Sequence, residues 1–211
     1  VRSSAASDVY KRQVKGINGI KWNSSNSSVV SVSKNGTIYA KKTGNAVLIG
    51  TLGDLQLGCA VSVVTPARKR TVQKAIQIAK TCTYSQPKRM QEKFYDCSSL
   101  VWKSYHKNGV NFGMAYYAPV AADMGKWCAQ HKKLVSGGLS QANIQNMKLN
   151  PGDVMFETGQ KNGRYKGIYH VEMITGYIFY GFDGNGKAEL GIQWATGDEK
   201  YYPMGQMVGR P

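Results

Sequence analysis

The chain has 211 residues, 42% of them hydrophobic, with 28 Lys and Arg against 12 Asp and Glu and a formal net charge of +16. That apolar share suits a globular chain with its own core, and no apolar run is long enough to span a bilayer. The basic balance predicts attraction to a polyanion, but the lysines are scattered and form no stripe interleaved with aromatics, which argues against nucleic acid.

In chain order, Asp8-Val9-Tyr10-Lys11-Arg12-Gln13 looks like the translated end of a transposon used in preparing sequencing libraries. Residues 1–13 are therefore set aside as a scar or leader, and the chain is expected to be truncated upstream. Residues 14–64 read as all-β. Val29-Val30-Ser31-Val32 and Thr37-Ile38-Tyr39-Ala40 flank Lys34-Asn35-Gly36, a strong hairpin signal. Two more strands are expected over 46–51 and 56–64, with Gly53-Asp54 turning between them. With Trp22-Asn23-Ser24-Ser25-Asn26, Gly44-Asn45-Ala46 and Cys59-Ala60-Val61-Ser62-Val63, this stretch resembles the second half of a group 2 bacterial immunoglobulin-like domain. The resemblance implies a partial sandwich, poorly stable alone or leaning on its neighbour, that serves as a spacer or adhesive unit.

Residues 65–70 read as a linker, and Thr71 as the N-cap of a helix with Val72, Ala75, Ile76 and Ala79 on its apolar face. In Phe94-Tyr95-Asp96-Cys97-Ser98-Ser99-Leu100-Val101-Trp102, Leu100, Val101, Ser104 and Tyr105 share one helical face, and Asn108-Gly109 supplies a stop. Cys97 then lies at a helix N-terminus, where unpaired N–H groups and the macrodipole favour thiolate, the starting point for covalent acyl transfer. A buried structural cysteine is the plainer alternative. A short helix is expected over 116–127. The four cysteines have no C-x-x-C spacing, so neither zinc nor a dithiol redox site is indicated; one disulfide, Cys82 with Cys128, is left open.

Further on, Leu149-Asn150-Pro151-Gly152-Asp153-Val154-Met155-Phe156 is a turn delivering a strand, and Tyr169-His170-Val171-Glu172-Met173-Ile174-Thr175-Gly176 is another strand. Asp-Cys-Ser-Ser-Leu-Val, Pro-Gly-Asp-Val-Met-Phe and His-Val-Glu-Met-Ile-Thr-Gly, in that order, resemble the NlpC family of cell-wall cysteine peptidases. The resemblance runs from about Thr71 to Trp194. It implies an α+β papain-like domain over 71–211, with helices packed on an antiparallel sheet.

It further implies Cys97 as nucleophile, His170 as general base and a third polar residue on the next strand, for which Gln193 stands first, with Glu189 and Asp198 behind. Tyr95, Asp96 and Ser98 become candidates for holding substrate, Asp96 with an N-cap role as the alternative. Ser99 and Glu172 depart from the family pattern, which has glycine at both positions. Ser99 is expected to narrow the cleft, and Glu172 to point away from His170's neighbours or pair with the basic surface. His106 and His131 are expected at the surface. Asp183-Gly184-Asn185-Gly186-Lys187 fails as a calcium loop, because Trp194 stands where the bidentate acid belongs, and reads as a hairpin turn.

The expected activity is a secreted or cell-surface peptidoglycan hydrolase cutting an amide bond in stem peptides, with no cofactor and no metal. Anionic wall polymers are possible partners. A muramoyl–alanine amidase and a non-catalytic wall-binding or adhesive protein are the alternatives.

Overall fold

The computed structural model of the chain describes residues 19–197 and 201–211. The leader at 1–13 and the candidate Asp198 lie outside the described residues. Two compact units emerge: residues 19–66 with Gly176–Gly191, and Ala67–Thr175 with Ile192–Pro211.

The first unit holds β1 (Lys21–Ser24), β2 (Val30–Val32), β3 (Ile38–Ala40), β4 (Gly44–Leu52) and β5 (Leu55–Val63). The Asn-Gly signal was sound: β2 and β3 pair antiparallel, Val30 facing Ala40, and Gly36 takes the positive φ of +80° that the turn demands. A three-stranded sheet runs β1-β4-β5. One core cluster is Val29, Val30, Ala46 and Leu48, with Val61 and Val63 beside them, while Leu55 and Leu57 stay exposed. Phe179 from the Gly176–Gly191 segment lies against Gly58 in this unit, where any side chain would collide with the ring.

The second unit opens with α1 (Pro66–Thr81), then β6 (Thr83–Tyr84), β7 (Phe94–Tyr95), α2 (Cys97–His106), α3 (Ala121–Gln130) and α4 (Gln141–Gln145). There follow β8 (Val154–Thr158), β9 (Ile168–Phe182), β10 (Ala188–Trp194) and β11 (Met207–Gly209), a four-stranded sheet in the order β10-β9-β8-β11. β8 runs antiparallel to both of its neighbours, with Phe156 opposite Val171 and Met155 opposite Val208. Leu100, Val101 and Tyr105 of α2 share a core with Met124 of α3 and with Phe156, Val171 and Met173 of the sheet. Helices packed on an antiparallel sheet match the expected layering.

Several boundaries move. The linker at 65–70 is helical from Pro66, because proline at a first helical position loses no hydrogen bond and Arg68 is drawn to Pro151 O at 3.0 Å and Asp153 at 3.1 Å. Thr71 is therefore no cap: it is buried within α1, and its hydroxyl accepts from Asn108 at 2.8 Å. The helix expected over 116–127 starts at Ala121, since a proline at 119 biases residue 118 away from helical geometry. At the hairpin between β9 and β10, Asp183 accepts from Asn185 N and Lys187 N at 2.9 and 2.8 Å, as the turn reading required.

The four cysteines are free thiols, so Cys82 and Cys128 are not bridged. Cys128 is buried against Gly209, where burial pushes its thiol up to about 12. The sulfur of Cys82 lies 3.7 Å from Glu92 O. Gly138 has φ +50°, and a Cβ there would strike the Gln206 carbonyl that accepts from Leu139 N. Gly138→Ala is expected to lower stability by about 1–3 kcal/mol, read as a fall in the urea midpoint at unchanged slope.

Candidate active site

Asp96 caps α2 in full. Its Oδ1 accepts from Ser99 N at 2.7 Å, and Ser99 Oγ accepts from Asp96 N at 2.8 Å, a reciprocal capping box. Ser98 Oγ adds a bond to Oδ1 at 3.2 Å, and Arg89 reaches Oδ2 at 3.0 Å while donating to the carbonyls of Ala118 and Pro119. Both carboxylate oxygens are thus engaged inside the protein. The N-cap role holds.

Ser98 is likewise buried, and Tyr95 is buried edge-on to Tyr84, with ring centroids 5.5 Å apart. All three are buried. Ser99 narrows nothing; its hydroxyl belongs to the cap.

Cys97 is the first helical residue of α2 and is partly exposed. Backbone N–H groups of Val171 and Ser98 donate to its sulfur and draw its pKa down. Burial, the largest influence, and the carboxylates of Asp96 and Glu172 push the other way, and the thiol ends above its ordinary value. The thiolate preference expected from the helix end is therefore outweighed. Deprotonation needs a base.

His170 lies on β9, one residue before the Val171 whose N–H reaches the sulfur. Its Nε2 lies 3.3 Å from the Tyr202 hydroxyl and 4.0 Å from Glu172 Oε2. With Nε2 turned that way, Nδ1 is the ring nitrogen on the opposite side. The ring is stacked on Tyr202 with an interplanar angle of 21°. By contrast, His106 and His131 stack on Trp102 and Trp127 at the surface, as expected.

Gln193 is not brought to the imidazole. Ala195 N donates to Met173 O, and Thr196 bonds Glu172, which sets Gln193 near Thr175. That is five residues from His170, roughly 16 Å along the strand. Alternation also puts it on the other face, because its neighbour Trp194 packs on Tyr202 at 4.8 Å, beside His170. Glu189 lies earlier on β10, in the first unit. Glu172 also departs from expectation: it is buried, not directed to the basic surface, and holds Thr196 Oγ1 at 2.6 Å.

Sequence reasoning missed two tyrosines. Tyr84 reaches the site because β6 pairs parallel with β7, which leads directly into Cys97. The residue is half-exposed; its hydroxyl accepts from the Cys97 backbone N–H, and burial raises its pKa. Tyr202 arrives from beyond β10, with no local pattern to mark it. Among the described residues, no three His, Cys, Asp or Glu side chains gather as a metal site, and no helix is long and apolar enough to cross a membrane.

Residues 6–63 match the family model of the bacterial Ig-like domain (group 2), which accounts for the β1–β5 module and begins ahead of the boundary read at 14. No curated protein and no solved structure matches the chain.

Proposed function

We propose that residues 71–211 form a papain-like, NlpC-type thiol hydrolase that cuts an amide bond in peptidoglycan stem peptides, the bond from D-γ-glutamyl to the diamino acid. One observation carries the reading: the Cys97 sulfur, at the start of α2, accepts from the N–H of the residue that follows His170. A nucleophile at a helix start beside an imidazole is the arrangement acyl transfer needs.

The chemistry follows from those two groups. His170 takes the thiol proton as sulfur attacks the carbonyl carbon, and the electron pair of the C=O bond moves to oxygen. The Cys97 N–H, which already points at a hydroxyl oxygen, donates to that oxyanion. Collapse breaks the C–N bond; the imidazolium gives its proton to the leaving amine, and a thioester remains. Water, deprotonated by the same imidazole, then releases the acid and restores the thiol. A raised resting thiol fits such proton transfer on substrate binding.

The domain acts outside the cell, at the wall, with the Ig-like module as its spacer. The net charge of +16 suits residence among anionic wall polymers. Digestion of purified peptidoglycan followed by mass analysis tests the reading. A newly freed diamino-acid amine is expected. Bare muramoyl lactate would transfer the assignment to an amidase. No product, with iodoacetamide labelling Cys97 no faster than a free thiol, would leave a non-catalytic wall-binding protein.

A further inference from the structure

We propose that Tyr202 and Glu172 are the positioning residues for His170, the phenol linking imidazole Nε2–H to a buried carboxylate. The inference rests on the thiol-hydrolase reading of Cys97 and His170, since a tautomer matters only if the ring serves as a base.

Proton counting carries the argument. Glu172 is only 2% exposed, and its carboxylate takes a bond from Thr196 Oγ1 at 2.6 Å and one from Met173 N at 3.1 Å. The Tyr202 hydroxyl bonds the same group, both of whose oxygens already act as acceptors, so the single phenolic proton goes there. What the phenol then presents to Nε2, 3.3 Å away, is a lone pair. In the neutral ring Nε2 then carries the hydrogen, and Nδ1 is the nitrogen that can take a further proton.

Trp194 holds the phenol edge-on, with centroids 4.8 Å apart, so the relay is braced by β10. A carboxylate 4.0 Å from Nε2 also favours the imidazolium that forms when Nδ1 accepts a proton. Glu157 stands directly across the β8–β9 register from His170, and Glu157 and Cys97 both act on the Tyr202 hydroxyl.

The test reads the ring itself by 15N NMR in the full chain carrying Cys97→Ala, which removes the coupled thiol. Only three histidines are present, and substituting His106 and His131 assigns the third. The expected parent spectrum is a neutral His170 protonated at Nε2. Tyr202→Phe keeps the ring packing and should turn this into a mixture of both tautomers. Glu172→Gln should lower the His170 pKa by about one unit, and Glu157→Gln by clearly less.

An Nδ1-protonated parent, or a Tyr202→Phe protein with the parent's tautomer ratio, overturns the proposal even if Glu172→Gln fails to fold. Turnover is not needed for this readout. A relay seen in a protein that releases no muropeptide would retain the positioning assignment and remove the enzyme reading; cleavage without the relay would do the reverse.

Discussion

His170→Ala is expected to reduce kcat/KM for muropeptide release by about a thousandfold or more, and Cys97→Ala to remove all thioester-dependent turnover. A thousandfold loss corresponds to roughly 4 kcal/mol of transition-state stabilisation. The size follows from the environment of the sulfur. Burial and the carboxylates of Asp96 and Glu172 hold the Cys97 thiol above its ordinary value, so without the imidazole almost none is ionised near neutral pH.

The sign can be checked apart from turnover. With His170 present, iodoacetamide alkylation of Cys97 should proceed in the neutral range, because proton transfer to the ring supplies thiolate. In His170→Ala the rate should stay low and rise only at a pH above that of an ordinary thiol. Loss in kcat with KM little changed would separate chemistry from binding. A His170→Ala protein that alkylates and cleaves like its parent would end the assignment.

Asp153→Ala is expected to destabilise the second unit by about 3–5 kcal/mol, the cost of breaking a buried ion pair from one side. Asp153 is fully buried in the turn before β8. It accepts from Arg68 at 3.1 Å, from Arg210 at 2.9 and 2.7 Å, and from Asn150 N at 2.8 Å. It therefore ties the first turn of α1, the turn before β8 and the residue after β11 to a single carboxylate. Beside it, Gly152 has φ +92° and gives its carbonyl to the Tyr105 hydroxyl of α2. Removing the carboxylate takes the anionic partner from two guanidinium groups at once, which keep bonds to the carbonyls of Pro151, Pro211 and Lys148.

Urea unfolding followed by tryptophan fluorescence checks this. A Trp22→Phe background leaves Trp102, Trp127 and Trp194, which all lie in the second unit. Arg210→Ala, whose side chain is 37% exposed, should cost far less, because solvent screens that partner. Equal losses for the two variants would refute the clamp.

What the sequence determined by itself is local. The α2 start and its cap, the Asn35-Gly36 hairpin, the strands around Phe156 and His170 and the Asp183 turn each rest on residues within a few positions of one another. Their periodicity and hydrogen-bonding capacity act before any distant contact forms. The matched Ig-like pattern at 6–63 is of the same kind.

The tertiary structure decided how those elements meet. Antiparallel register between β9 and β10 puts Trp194 and not Gln193 on the face of His170, and a shift of one residue exchanges the two. Arg89 claims Asp96, Tyr202 reaches an imidazole 32 residues behind it, and Tyr84 enters through a parallel two-residue pairing. The protonation of Cys97 also belongs here, since burial is a property of the packed molecule. Spacing along the chain carries no record of which faces will be pressed together, and desolvation exists only once they are.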